Sequence, residues 1–567
     1  MQNSHRRIAI VVSLALGLLS VPYLALSFSP SQSLESIALN QYATATPVLT
    51  PTNPPGETTV AQLPTSKFNP TKNGGYSFVN WGLDAQSSTD FVLADLRLMF
   101  DAATVCRSAT APVCRIRYAA KHWLADVNDD MSAGHSDGFT TTALQYVKAP
   151  DSIAALQAGA VKVYDLLFAN ARKSISYNWV LQVPIQGASA RAAALKKTPS
   201  EVVALVKTAL VSATVDLAKS DPTTLLVYNT DRTSGHSLLP WKLNEVSAGS
   251  FKIYVYDSNF PNDDTRFVTV DTTKNTWSYD LGSTFTPPVW TGTATSGNFG
   301  AVPISIYNQK LNPPTAPWKT GEKFSHFRYN GNGHLRLTDA AGKSIGYNKK
   351  IFANTITGAF IAPPAGGLNV YSEPDYYVPT GQYKIDLEGS NLNLAQAAQV
   401  VDVSQVGPDF AVGLSNLSLN TTSADSATVS ADGTSVAYTA NQTRSVDLSL
   451  SYDGATTSAE IQVGGADVNA AGPFTAAKQV TDTVVLGAAA DGEYNLTISV
   501  LTATGGEVIF VNNGIKILAG ATQTLDFSKL ATGGYTVTLT NKAKDGTITT
   551  IILQNQATQT FLPLSFR

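Results

Sequence analysis

Cysteine, histidine and charge are all scarce in this sequence, and each scarcity excludes something. Charged residues make up 14%, and 39 basic against 42 acidic residues leave a net charge of −3. No basic surplus exists to hold nucleic acid or an anionic membrane surface. From 368 to 567 there is neither histidine nor cysteine, which argues against metal or thiol chemistry in that third of the chain. No apolar run after Leu26 is long enough to span a bilayer. There is no exact internal repeat, and no residue pattern calls for a metal or a cofactor. Only two cysteines occur, Cys106 and Cys114. In an exported chain such a pair closes a small disulfide loop. The rival reading makes Cys114 a thiolate at the start of a helix from Arg115 to Asp130.

What is abundant is Thr, Ser, Ala, Gly and Asn, a composition common in exported β-rich proteins. His5-Arg6-Arg7 precede an apolar run from Ile8 to Leu26, and Ala25-Leu26-Ser27 suits a cleavage site. Residues 1–27 are therefore expected to be a secretory signal peptide, the alternative being an uncleaved membrane anchor. Secretion or display at the cell surface follows, with membrane attachment only through that segment. Residues 28–75, rich in Thr and Pro without an apolar period, read as a disordered linker.

A chain of 567 residues has room for three or four domains. Residues 76–220 read as helical, with helices over Asp90–Phe100, Ile116–Met131, 138–148 and Ala160–Ala171. A fifth opens at Thr198-Pro199-Ser200-Glu201, a capping box with proline at the first helical position. After Asp221 the period changes to strands: Thr224–Tyr228, Ser237–Leu243, Phe251–Tyr256, Arg266–Val270 and Thr276–Tyr279. Helices followed by strands give an α+β domain over 76–365. Pro363-Pro364-Ala365-Gly366-Gly367 reads as its boundary. Beyond it, alternating strands and the hairpin-type dipeptides Asp432-Gly433, Asp453-Gly454, Asp491-Gly492 and Asp545-Gly546 suggest two β-sandwiches, 366–470 and 471–567.

Two stretches carry the chemistry. Gly134-His135-Ser136-Asp137-Gly138-Phe139 is a tight turn opening a helix, where unpaired N–H groups and the dipole favour a nucleophile or an oxyanion. On spacing alone Ser136 also suits a helix N-cap. His135 reads as a structural or rim residue, since neighbours on a helix do not face each other. About a hundred residues later, His236 and Asp257 bracket a strand–turn–strand unit that sets the two backbones about 5 Å apart. The imidazole can then donate one N–H to the carboxylate and keep its other nitrogen as a base. Asn259 is the alternative orienter, and a purely structural His–Asp pair at a strand end is the plainer reading.

The stretch Trp123-Leu124-Ala125-Asp126-Val127-Asn128-Asp129-Asp130-Met131 through Gly134-His135-Ser136-Asp137-Gly138-Phe139 resembles the nucleophile segment of a largely uncharacterised group of secreted bacterial proteins. In that group a Trp, an Asn and a Met lead into Gly-His-Cys-x-Gly-Met. Gly235-His236, Tyr254-Val255-Tyr256-Asp257-Ser258-Asn259-Phe260-Pro261 and Asn275-Thr276-Trp277-Ser278-Tyr279 resemble its later signatures. The group is similar to the papain-like cysteine-peptidase superfamily, including bacteriocin-leader peptidases and transglutaminases. The resemblance implies Ser136 at the cysteine position, His236 as base, Asp257 as orienter and Asn128 as an oxyanion contact. His135, Asn259 and Trp277 are further candidate binding residues. Two positions depart from the pattern: Ser136 replaces cysteine and Phe139 replaces methionine. A serine gains little from the helix dipole and needs the histidine to take its proton during attack. Losing a nucleophile removes on the order of 10⁶ in rate.

Three functional expectations result. The first is a catalytically inactive peptidase homologue that binds a peptide or a cell-surface polymer. The second is an active serine-type hydrolase or acyltransferase using Ser136, His236 and Asp257. The third is an adhesin or surface structural protein with no such site.

Overall fold

The computed structural model describes residues 56–82, 90–107, 114–283, 285, 287–368, 371–392, 398–454, 457–479, 482–501 and 506–556. The expected signal segment and the first part of the expected linker lie outside them. The described chain is α+β, with helices gathered on an antiparallel sheet and a larger β-sandwich-like part. No helix among the described residues is long and apolar enough to cross a membrane.

The N-terminal sheet has eight strands. Seven lie in the order Val289–Thr293, Thr276–Asp280, Phe267–Asp271, Ser250–Tyr256, Gly235–Ser247, Thr223–Tyr228 and Phe299–Pro303, and Thr58–Gln62 pairs with Gly235–Ser247 beside the path. That last strand falls inside the expected linker. Ala61 lies opposite Leu243, and Leu63 and Phe68 are fully buried, so order begins well before Tyr76.

Side chains alternate across a strand, and Thr223–Tyr228 uses both faces. Leu225 and Val227 join a core with Phe139 and Leu144 of the Ser136–Lys148 helix and Val202 and Val206 of the Pro199–Val215 helix. Leu226 and Tyr228 join a second core with Trp123, Met131 and Trp179. The capping box forms as expected. Glu201 N–H donates to Thr198 Oγ1 at 3.4 Å, and Thr198 N–H donates to Glu201 Oε2 at 2.7 Å.

One helix is displaced from its expected place. Ala160–Ala171 is not continuous: Val163–Asp165 forms a single 3₁₀ turn, and the helix runs from Phe168 to Val180. The Ile185–Ala194 helix, rich in alanine and without a marked apolar stripe, is an addition. The disulfide expected between Cys106 and Cys114 is present, so Cys114 is no free thiol.

The remaining strands form an eleven-stranded sheet, from Ile351–Asn354 at one edge to Ile548–Gln554 at the other, and a nine-stranded sheet, from Phe360–Ala362 to Glu507–Ile517. They face each other across one core that includes Phe327, Leu337, Val403, Val463, Leu486 and Leu539. Neither sheet divides at the expected domain limits. Phe324–Asn330 pairs with Gln399–Gly407 across 365/366, and Ser458–Val468 pairs with Gly492–Leu501 across 470/471. The expected pair of sandwiches is therefore one double sheet, which also takes in strands from 324 to 362. Asp432-Gly433, Asp453-Gly454 and Asp545-Gly546 do sit between paired strands. Asp491-Gly492 does not: Thr483–Ala488 and Gly492–Leu501 belong to different sheets, so this turn crosses between them.

The Tyr118–Met131 helix lies on the outer face of the nine-stranded sheet. Arg328 bonds Asp129 and Asp130 at 2.6 Å each, Ser404 bonds Asp126 at 2.8 Å, and His122 Nε2 lies 2.6 Å from Glu460 Oε1. The helix that precedes the Ser136 turn is thereby fixed to the sandwich.

Candidate functional site

Ser136 is the first residue of its helix, and His135 occupies the capping position with a non-helical backbone. The Ser136 hydroxyl therefore does not cap the helix. It donates to the carbonyl of Ala365 at 3.1 Å and accepts the backbone N–H of Ser237 at 3.0 Å. The turn leading in needs Gly134 at φ +122°. A Cβ there would stand 2.4 Å from the carbonyl oxygen of Gly366.

His236 and Asp257 meet as expected. The antiparallel ladder between their strands ends at Leu239 and Tyr256. Beyond it the strands part, and His236 Nε2 reaches Asp257 Oδ1 at 2.6 Å. Asp257 accepts two further hydrogen bonds: Asn259 N–H donates to Oδ1 at 2.8 Å and the Tyr279 hydroxyl donates to Oδ2, while Arg266 donates to that same tyrosine at 3.3 Å. Burial pushes the Asp257 carboxyl up, but the His236 charge, its hydrogen bond, Arg266 and Tyr279 outweigh it. The carboxyl lies below its ordinary range. The other ring nitrogen of His236, Nδ1, is buried and has no hydrogen-bond partner.

His236 and Asp257 thus come together, Ser136 meets the neighbouring residue Ser237 through its backbone, and all three residues are fully buried. No hydrogen bond joins Ser136 to His236. Ser237 Oγ pairs with Thr140 Oγ1 of the serine's own helix at 2.9 Å. Ser136 meets the strand at an edge amide rather than at the His236 ring.

The other expected site residues have different duties. Asn128 is no oxyanion contact: its amide takes Phe91 N–H at 3.1 Å and gives to the carbonyls of Phe91 and Leu124 at 2.8 Å each. His135 is buried rather than at a rim. Its ring stacks on Trp81 at 4.0 Å, with Nδ1 3.0 Å from the Trp81 carbonyl and Nε2 3.5 Å from Asp90. Asn259 contributes its backbone N–H, and Asp257 is the group that meets His236. Trp277 is a core residue, stacked on Phe299 at 5.0 Å and bonded to Asn298. Phe139 fills an aromatic cluster with Tyr76, Phe78 and Trp81.

Several groups escape a reading of the sequence. The Trp179 indole N–H donates to the Ala365 carbonyl at 3.1 Å, as does Asp137 N–H at 3.3 Å. Asn80 accepts His135 N–H at 2.8 Å and donates to Gly366 O at 2.9 Å. Arg191, fully buried, bonds Asp137 at 3.0 Å, Tyr307 at 3.2 Å and Tyr228 at 2.6 Å. The signal for the last was present: an arginine within an alanine-rich helix and an acid beside the serine, though nothing in the spacing links them. Among the described residues no group of three or more His, Cys, Asp or Glu side chains could hold a metal ion.

The chain matches no protein-family model, no curated protein and no solved structure.

Proposed function

We propose that the protein is an extracytoplasmic, papain-like member of the cysteine-peptidase superfamily whose peptidase chemistry is silent, and that it serves in binding a peptide or a cell-surface polymer. The observation that carries this reading is the commitment of the Ser136 hydroxyl. Its proton goes to the Ala365 carbonyl and it receives the Ser237 amide, so His236 is not offered the proton that a serine must lose to attack. Full burial of Ser136, His236 and Asp257 also leaves a substrate no approach. The Cys106–Cys114 disulfide suits an oxidising, extracytoplasmic compartment, and the double sheet suits an attachment or spacer role. Purified protein offered fluorogenic peptides and activated esters is expected to give turnover no greater than Ser136→Ala. Turnover lost on that substitution would overturn the reading.

The second reading is an active serine-type hydrolase or acyltransferase. Its support is the unpartnered Nδ1 of His236, the nitrogen left free once Nε2 is tied to Asp257. A third, an adhesin with no such site, is disfavoured by the meeting of His236 and Asp257 beside Ser136.

A further inference from the structure

The Pro363–Gly367 segment, which in sequence looks like an exposed boundary, is buried along its length and lies across Ser136. Its carbonyls are gripped in succession. Pro363 O accepts the Tyr228 hydroxyl at 2.8 Å, and Ala365 O accepts Ser136 Oγ, Trp179 Nε1 and Asp137 N. Gly366 O accepts Ser136 N at 2.9 Å and Asn80 Nδ2 at 2.9 Å. Gly367 forms an antiparallel bridge with Gly235, beside His236. Two of these contacts use the first amides of the helix, where a carbonyl oxygen is favoured by the unpaired N–H groups and the dipole. The fit is close on both sides. A Cβ on Gly366 would come within 3.0 Å of the Ala133 carbonyl carbon and the Gly134 oxygen, one on Gly367 within 2.8 Å of Ala133 O, and one on Gly235 within 2.8 Å of Pro364 O.

We propose that this cleft is a binding site for an extended peptide backbone with small side chains, occupied here in cis by Pro363–Gly367 and opened to a peptide from another chain when that strap lifts out. The proposal rests on the reading of the cleft as a peptide-binding relic. It adds the identity of the occupant and the means of control. Backbone carbonyls supply the recognition, as in strand addition at a sheet edge, and the strap's high local concentration keeps the competitor out.

Hydrogen exchange on the unaltered protein tests it. If the strap lifts independently, the amides of Ser136 and Asp137 exchange at least about tenfold faster than those of Leu225 and Val227 in the sheet core. Exchange in step with those core amides would overturn the proposal, because the strap would then leave only on global unfolding. Gly366→Val gives a second arm. It should raise exchange at Ser136 and Asp137 by about a hundredfold with the core amides unchanged, and the synthetic peptide Ile-Ala-Pro-Pro-Ala-Gly-Gly-Leu should restore about tenfold protection. Failure of that peptide to protect an opened cleft also overturns it, and if the variant does not fold the first arm decides. Hydrolysis of the peptide would sink the silent-peptidase reading and leave the strap standing.

Discussion

Asp257 grips the His236 imidazole by one nitrogen only, at 2.6 Å, and leaves the other buried without a partner. The pair is anchored as firmly as a base and its orienter would be, yet the hydroxyl beside it is bonded elsewhere. Replacing Asp257 with asparagine removes the fully buried carboxylate to which His236 Nε2, the Asn259 amide and the Tyr279 hydroxyl are bonded. A loss of about 3 kcal/mol in unfolding free energy is expected, measured by denaturant titration. The pH dependence has a definite sign. The folded carboxyl titrates below its ordinary value, so its stabilisation is present above the usual carboxylate range near pH 4 and is lost as pH falls through the folded value.

Ser136→Ala is expected to destabilise by about 1–2 kcal/mol, because it orphans the buried Ser237 N–H and removes one of the donors on Ala365. A catalytic serine exposed in an open cleft would cost far less to remove. Comparing thermal midpoints of the two proteins checks the value.

Glu460 gives a second acid-sensitive tie. Burial raises its carboxyl, but the hydrogen bond and charge of His122, with Lys121, bring it down to about 2. Its folded value is below the unfolded one. The stability it contributes, about 3 kcal/mol, is therefore present above about pH 4.5 and lost progressively toward pH 2. Unfolding of Glu460→Gln should show a shallower pH slope across that window.

Breaking the Cys106–Cys114 bond, which spans eight residues, should cost about 2.5 kcal/mol by loop-closure entropy. Cys106 is buried with Trp123 in the helical core, so Cys106→Ser adds the cost of a buried hydroxyl. Mild reduction of the unaltered protein, followed by denaturant titration, isolates the loop term.

Much of the fold was legible from local chemistry. The capping box at Thr198, the strands from Thr223 to Asp280 and the Asp-Gly hairpins at 432, 453 and 545 each declare themselves within a few residues. What escaped depends on distant partners. The Thr58–Gln62 strand is ordered by Gly235–Ser247, more than 170 residues away in the chain. Asp491-Gly492 has the chemistry of a hairpin turn, yet its two strands belong to different sheets and do not pair with each other. Arg328, Ser404 and Glu460 alternate with core residues as solvent-facing polar positions would, and a helix from the other part of the chain covers them.

The site divides in the same way. His236 and Asp257 could be paired from the strand–turn–strand spacing. The contacts of Ser136 could not be foreseen, because its partners are backbone atoms of Ala365, Gly366 and Ser237. A Pro-Pro-Ala-Gly-Gly run resembles a linker in composition, and only the Cβ clearances around Gly366 and Gly367 reveal how closely it is fitted.

The most direct test of a silenced serine is reaction with a fluorophosphonate, read by mass spectrometry of the intact chain and of the peptide bearing Ser136, between about pH 6 and 9, where a histidine base becomes neutral. No adduct at Ser136 is the predicted result. An adduct there that disappears in His236→Ala would contradict the account.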